Sequence, residues 1–258
     1  MQDDMSNPEL SYAVVTVAAC FLLAGLTYHR KVLDIQGSVL GFVMGLVIGL
    51  MGHLLWLILL LLFLMTAFAA TRYKYALKKA MEVAEPDKGR RGFSSVMANG
   101  WVPMVVALLS FPNPWVDTFP KDVAAVLYLT AISAAASDTI ASELGVLSKD
   151  VYMITNFKRT RPGINGGVSA LGTTAALAAA VYTSTIGWVV LQYSGQLAEF
   201  PLWFMAIPVG MGFAGCQIDS LLGALFENRG MLNKDRVNIL SISAATLLAL
   251  AVIVVWRM

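Results

Sequence analysis

Two acidic residues interrupt a long apolar stretch, AISAAASDTIASELGVL, at residues 131–147. Asp138 lies nine residues before the end of this stretch, and Glu143 follows five positions later. A carboxylate at that depth in a membrane helix usually faces the interior of a helix bundle or a wet cavity. On an ideal helix the two side chains differ in direction by about 140°, so one cation contacts both only through a bend or a second helix. The alternative is a buried Asp138 that hydroxyl groups and one arginine satisfy.

A second acid repeats this placement near the end of another apolar stretch. In CQIDSLLGALFENRG, Asp219 lies eight residues before Glu227. The strings DTIAS and DSLLG both read as an acid, a hydroxyl residue, two mostly apolar residues and a small residue. We therefore predict that Asp138 and Asp219 are similar intramembrane acids that face each other. Unrelated capping or packing roles are the alternative.

A basic, glycine-rich loop lies between the two acids, in TNFKRTRPGINGGVSALGT at residues 155–173. Cations beside a glycine turn at the start of a helix are typical of a phosphate site. The Walker A string is absent. A similar loop, EPDKGRRGFSSVMANG, precedes another apolar stretch. The candidate phosphate ligands in the two loops are Lys158, Arg159, Arg161, Asn165, Gly166, Gly167, Lys88, Arg90, Arg91 and Asn99. The alternative is a pair of basic loops that only contact anionic lipid.

These residue types together favour magnesium-dependent phosphoryl transfer. Mg²⁺ prefers carboxylate oxygens and substrate phosphates, and phosphoryl transfer needs mainly positioning and charge neutralisation. The histidines His29 and His53 are isolated in sequence, and the cysteines Cys20 and Cys216 lie in apolar segments. We predict structural roles for all four.

The elements that must position these residues are membrane spans. The chain of 258 residues is 58% hydrophobic and 13% charged, whereas soluble domains carry roughly 25% charged residues. Apolar runs of spanning length predict a single all-α membrane domain over residues 1–258. The eight predicted spans are 11–28, 35–51, 53–71, 97–113, 122–147, 168–194, 200–226 and 237–256. No feature indicates a nucleic-acid partner, and a homo-oligomer is possible.

The charge distribution predicts the orientation in the cell membrane. All but Lys121 and Arg257 of the 18 lysines and arginines fall in the loops 28–34, 72–96, 148–167 and 227–236. The positive-inside rule then places these loops in the cytoplasm and both termini outside. One of the loops contains RYKYALKKAMEVAE, residues 72–85, whose apolar residues recur at helical spacing. This pattern predicts an amphipathic helix on the membrane surface, with its lysines facing away from the apolar side.

Three strings, SDTIASELG, KRTRPGINGGVSALGT and GRRGFSSVMANG, identify a family. They resemble the membrane family of the plant and cyanobacterial phytyl-phosphate kinase and the animal transmembrane protein 19. More distantly, the chain is similar to CTP-dependent dolichol and phytol kinases. The resemblance implies transfer of the γ-phosphoryl group of CTP, or another nucleoside triphosphate, to an isoprenyl monophosphate such as phytyl or geranylgeranyl phosphate.

The resemblance also implies roles for individual residues. Asp138 and Glu143 would hold Mg²⁺ or a catalytic water network. The nucleotide phosphates would contact Lys158, Arg159, Arg161, Asn165, Gly166 and Gly167. Arg90, Arg91 and Asn99 would bind the acceptor phosphate or the nucleotide, with Lys88 beside them. Asp219 enters as a catalytic acid from its own sequence pattern. Two alternatives use similar parts: a CTP-dependent lipid-phosphate cytidylyltransferase that releases pyrophosphate, and a transporter or scramblase of an anionic lipid or metabolite.

Overall fold

The structure is a computed structural model that describes residues 8–112, 119–197 and 199–258. These residues form mainly helices, which confirms the predicted fold class. The helices are α1 (Pro8–His29), α2 (Ile35–Val47), α3 (Leu54–Arg72), α4 (Tyr75–Ala80), α5 (Phe93–Ser110), α6 (Lys121–Gly145), α7 (Ala170–Tyr193), α8 (Ala206–Leu222) and α9 (Lys234–Arg257). Wider π-helical turns extend α2 over Ile48–Gly52 and α8 over Gly223–Glu227.

Eight of the helical segments are long and apolar enough to cross a membrane, as the sequence predicts. They are Glu9–His29, Ile35–Gly52, Leu54–Arg72, Phe93–Ser110, Lys121–Gly145, Ala170–Tyr193, Leu202–Glu227 and Lys234–Arg257. The predicted ends differ from these by only a few residues. Residue 113, where the predicted fourth span ends, lies outside the described residues.

Helix α6 forms the centre of the bundle. Every residue from Val123 to Ser137 is buried, and the helix packs against α3, α5, α7, α8 and α9. Small residues permit this, because helices in lipid associate by close packing rather than by the hydrophobic effect. A Cβ atom on Gly212 of α8 would lie 2.1 Å from the Ser133 hydroxyl of α6, so only glycine fits at this crossing. The close approach fixes α8, and with it Asp219, beside α6.

The connection between α6 and α7 contains a small antiparallel sheet that the sequence analysis did not predict. Its strands are β1 (Val151–Met153), β2 (Arg159–Thr160) and β3 (Gly167–Val168), in the order β2-β1-β3. Thr160 pairs with Val151, and Gly167 pairs with Met153. Strands β2 and β3 lie on either side of residues 161–166 of the basic glycine loop. The sheet therefore gives this part of the loop a defined conformation.

The prediction of an amphipathic surface helix over residues 72–85 is wrong in its extent and in the direction of one lysine. The helix covers only Tyr75–Ala80, because Lys74 adopts a left-handed conformation that separates it from α3. Lys78 does not face away from the bundle: its side chain is fully buried. Its ammonium donates hydrogen bonds to the carbonyl oxygens of Ala70 at 2.9 Å and Thr71 at 3.3 Å, and to a carboxylate of α6.

Candidate functional site

A cavity of about 740 Å³ lies where α6 and α8 end, on the side of the bundle that carries the basic loops. Ligand pockets usually measure about 300–1,000 Å³, so the cavity is large enough for a nucleotide. Its lining comes from α6, α8, the start of α9, the segment after α4 and the glycine loop. We call it the acidic cavity, because Asp138, Asp219, Glu143, Glu227 and Glu85 all line it.

Asp138 and Asp219 both line this cavity, as the sequence predicts, and their carboxyl groups are close enough to interact with each other. Asp219 is further held by the hydroxyl of Ser241 on α9, which donates to its Oδ2 at 3.0 Å. Two carboxyl groups this close repel each other when both are ionised, unless a proton or a cation lies between them. The pair is therefore suited to a cation.

The donor set fits a magnesium ion rather than a closed metal centre. Among the described residues, no three His, Cys, Asp or Glu side chains are grouped to hold a metal. Mg²⁺ commonly takes one or two protein carboxylates and completes its shell with water and substrate phosphates. Asp138 and Asp219 would supply such a partial shell, which leaves coordination positions for a ligand in the cavity.

The glycine loop closes one side of the acidic cavity and is tied to α8. Gly166 has a φ of +79°, and a Cβ atom there would lie 2.4 Å from the Cβ of Ala224. The side-chain amide of Asn228 donates to the carbonyl oxygen of Asn165 at 2.8 Å. Helix α7 begins directly after the loop, where the Ser169 hydroxyl accepts the backbone N–H of Gly172 at 3.1 Å. Loop amides and a helix N-terminus together can bind an anion.

Two cations line the acidic cavity: Arg161 and Lys234. The Lys234 ammonium bonds the Glu85 carboxylate at 2.5 Å, which joins α9 to the segment after α4 across the cavity wall. Partial burial alone would raise the pKa of Glu85, but this ion pair and the nearby Arg91 and Lys78 hold it below its ordinary value. The sequence analysis missed Lys234 as a site residue, because in sequence it is one basic loop residue among many.

Glu143 has a different partner from the metal ion that the sequence analysis predicts. Its Oε2 accepts a hydrogen bond from Lys78 at 2.6 Å, and its Oε1 accepts one from the hydroxyl of Thr71 at 2.7 Å. The ion pair is almost fully buried. Both oxygens are thus engaged by protein donors, as expected for a residue that points away from Asp138 on the same helix. In this structure Glu143 is therefore a partner of Lys78 and Thr71.

The structure does not bring all the predicted phosphate ligands together. Arg161, Asn165, Gly166 and Gly167 line the acidic cavity. Lys158 and Arg159 do not line it, and Arg159 instead pairs with Asp150 at 2.7 Å on the exposed surface. Arg91 and Asn99 line a separate apolar cleft among α1, α2, α3 and α5.

The remaining basic residues of the second loop have other surroundings. Lys88 is exposed. Arg90 donates to the carbonyl oxygen of Leu33 at 3.1 Å and lies over the ring of Tyr28, so it fixes the loop to α1 and the α1–α2 connection. The predicted structural roles of the isolated His53 and of the cysteines agree with the geometry. His53 caps α3, because its Nδ1 accepts the backbone N–H of Leu55 at 3.1 Å, and both cysteines are buried.

Comparison with known proteins identifies relatives in archaea and plants. The family described as Integral membrane protein DUF92 matches residues 18–252. The uncharacterized membrane protein MJ0933 of Methanocaldococcus jannaschii is 31% identical over 180 residues, which cover 69% of this chain and 68% of that protein. No solved structure matches the chain.

Two relatives come from Arabidopsis thaliana. Protein VTE6, chloroplastic, is 29% identical over 73% of this chain and 55% of its own length. Protein PGR is 29% identical over 84% of this chain and 80% of its own length. The family match covers all eight membrane spans at least in part, and it agrees with the family predicted from the motif strings. The chain therefore belongs to the integral membrane family DUF92.

Proposed function

We propose that the chain is an isoprenyl-phosphate kinase that works in the acidic cavity. The observation that carries the proposal is the facing pair of Asp138 and Asp219 in a cavity that also presents Arg161, Lys234 and the glycine turn. Facing carboxylates bind a divalent cation, and the cations and amides bind phosphates. The motif strings shared with the phytyl-phosphate kinase family support CTP as donor and an isoprenyl monophosphate as acceptor.

The proposed reaction requires little covalent help from the protein. An oxygen of the acceptor monophosphate attacks the γ-phosphorus of the nucleoside triphosphate, and the bond to the β–γ bridging oxygen breaks. The products are an isoprenyl diphosphate and a nucleoside diphosphate. The acceptor phosphate is already an anion, so no side chain needs to remove a proton from it. Bound Mg²⁺ would neutralise charge on the transferring group, and Asp138 and Asp219 are the residues that would hold it.

Each group that lines the acidic cavity then has a part in binding or orientation. Arg161 and the amides of the glycine loop would hold the donor phosphates, next to the N-terminus of α7. Lys234 is tied to Glu85 and keeps one wall in place while its charge faces the same cavity. The cavity is on the side predicted to be cytoplasmic, where nucleotides are available, and the helices around it border the lipid that would supply the acceptor.

The activity is tested with purified protein in nanodiscs, supplied with geranylgeranyl or phytyl monophosphate, Mg²⁺ and labelled nucleoside triphosphates. We expect a γ-phosphate label, and no α-phosphate label, to appear on the lipid as nucleoside diphosphate accumulates. An α-label on the lipid with release of pyrophosphate would instead identify a cytidylyltransferase. Absence of both reactions, together with protein-dependent flux of an anionic lipid in liposomes, would replace the enzyme with a transporter.

The two arginines of the glycine loop give a matched test of nucleotide binding. Arg161 lines the acidic cavity, whereas Arg159 pairs with Asp150 outside it. A lost charge-assisted hydrogen bond costs about 1.5–3 kcal/mol, so we expect Arg161→Gln to raise the KM for nucleotide roughly ten- to one-hundred-fold. Arg159→Gln should change it less than threefold, which is roughly 0.6 kcal/mol. Equal effects of the two substitutions on this KM would contradict the placement of the donor phosphates.

A further inference from the structure

A second pocket lies among α1, α2, α3 and α5, and its lining shares no residue with the acidic cavity. Most of its lining is apolar, including Leu23 of α1, Met44 of α2 and Leu61 of α3. One end is polar, where Ser38, Arg91, Ser95 and Asn99 line it. These four residues lie at or near the ends of α2 and α5 that carry the basic loops. We call the pocket the acceptor cleft.

The polar end of the acceptor cleft holds an arginine in a fixed position. The backbone N–H of Arg91 donates to the carbonyl oxygen of Val32 at 2.9 Å, and its carbonyl oxygen accepts the N–H of Asp34 at 3.0 Å. These bonds fix Arg91 beside the start of α2. Its guanidinium donates to the hydroxyl of Ser95 at 3.2 Å, and both residues line the cleft.

An unpaired hydroxyl at the same end points independently to a ligand. Ser38 is only 5% exposed and lines the cleft, yet its Oγ has no hydrogen-bond partner. Among the described residues only one other buried side-chain atom, the hydroxyl of Thr183, shares this condition. Buried hydroxyls are normally hydrogen-bonded. A phosphate oxygen beside Arg91 would satisfy Ser38.

The polar end also lies close to the proposed site of reaction. The guanidinium of Arg91 interacts electrostatically with Asp138, Glu143 and Glu85, all of which line the acidic cavity. A phosphate held by Arg91 would therefore lie at the end of the cleft nearer to those carboxylates. From this end the cleft runs along α2 from Ser38 to Gly45, which is about 10 Å of helix.

We propose that the acceptor cleft binds the isoprenyl monophosphate, with the phosphate at Arg91, Ser95 and Ser38 and the first part of the chain between α1, α2 and α3. This inference rests on the proposed function and adds the path of the lipid. A cleft of this length contacts only the part of the chain next to the phosphate. We therefore expect the KM to fall from dimethylallyl phosphate to geranyl phosphate and to change less than threefold from geranyl to geranylgeranyl phosphate.

The direct test is photolabelling of the whole protein in nanodiscs with a geranylgeranyl phosphate that carries a diazirine on its second isoprene unit, beyond the reach of the polar end. We expect the label on peptides of α2 and α3 that contain Met44 and Leu61. An excess of unlabelled geranylgeranyl phosphate should remove the label, whereas geranylgeraniol should not, because it has no phosphate for Arg91. Labelling elsewhere, or equal competition by the alcohol, would overturn the assignment and show an unspecific lipid surface.

A pair of substitutions on α3 adds a second measurement. Leu61 lines the acceptor cleft, whereas Ile58 is exposed on the same helix and does not line it. Leu61→Trp should fill the cleft and reduce photolabelling at least fivefold, and Ile58→Trp should leave it unchanged. Thermal unfolding checks that both variants fold. Labelling of the cleft without turnover would refute the kinase activity and keep the lipid site, whereas turnover without such labelling would refute the lipid site alone.

Discussion

Asp138→Asn is expected to reduce phosphoryl transfer by about a hundred- to a thousand-fold or more. The amide is close to the carboxylate in size, so the change removes a charge and leaves the shape of the acidic cavity. With one carboxylate lost from the Asp138–Asp219 pair, the cation that neutralises the transferring phosphoryl group loses a ligand. The rate is measured with γ-labelled nucleotide and saturating acceptor, over a range of Mg²⁺ concentrations.

The stability of the same variant separates a catalytic role from a structural one. Two facing carboxylates repel each other when no cation is bound, so Asp138→Asn should leave the thermal unfolding temperature unchanged or raise it. A purely structural Asp138 predicts the opposite pattern, with lower stability and activity within a few fold of wild type. Asp150→Asn is the matched control, because Asp150 forms an exposed ion pair with Arg159 outside the cavity. It should change neither quantity.

The spans and the facing acids were predictable because each leaves a mark along the sequence. The apolar runs predict the eight helices. Asp138 and Asp219 each lie a few residues before the end of a span, and the two spans run in the same direction. Both acids are therefore expected at the same depth in the membrane. Residues in such a repeat meet whenever their helices pack together. The close packing of α8 on α6 at Gly212 satisfies that condition.

The partners of individual charges could not be predicted in the same way. Lys78 and Glu143 are 65 positions apart, and nothing in a basic loop distinguishes the one lysine that turns inward. The small sheet that shapes the glycine loop has strands of only two or three residues, too short for a recognisable alternation. The acceptor cleft forms only where four helices pack together, so in the sequence its polar end is a set of scattered residues from α2, α5 and the loop before α5.

The buried pair of Lys78 and Glu143 has a consequence for how the acidic cavity is held. Lys78 belongs to the short helix α4, and the chain that follows it supplies Glu82, Val83, Ala84 and Glu85 to the cavity wall. Glu143 lies five residues after Asp138 on α6. Their ion pair therefore joins the wall to the helix that carries the proposed metal ligand, and the Thr71 hydroxyl at the end of α3 adds a second bond to Glu143.

Lys78→Met is accordingly expected to destabilise the protein by about 3–5 kcal/mol, the usual cost of leaving one partner of a buried ion pair without its counter-ion. The methionine fills most of the space, so the loss reports the unpaired Glu143 carboxylate and the carbonyl oxygens of Ala70 and Thr71 rather than a void. The double variant Lys78→Met with Glu143→Met should recover most of this stability, because replacing both charges by apolar groups is often neutral. The free energy of unfolding is measured in detergent micelles with a graded denaturant.

Lys79→Met provides the matched control, since Lys79 is the next residue and is exposed. We expect it to change the free energy of unfolding by less than about 0.5 kcal/mol. If Lys78→Met is as mild as Lys79→Met, the pair does not stabilise the fold, and Glu143 regains its place as a candidate metal ligand. If the double variant is folded and still loses phosphoryl transfer, Glu143 acts in the reaction as well as in the attachment of the wall. If the double variant has the stability and the activity of wild type, the ion pair serves only to pack the wall against α6, and two apolar residues can replace it.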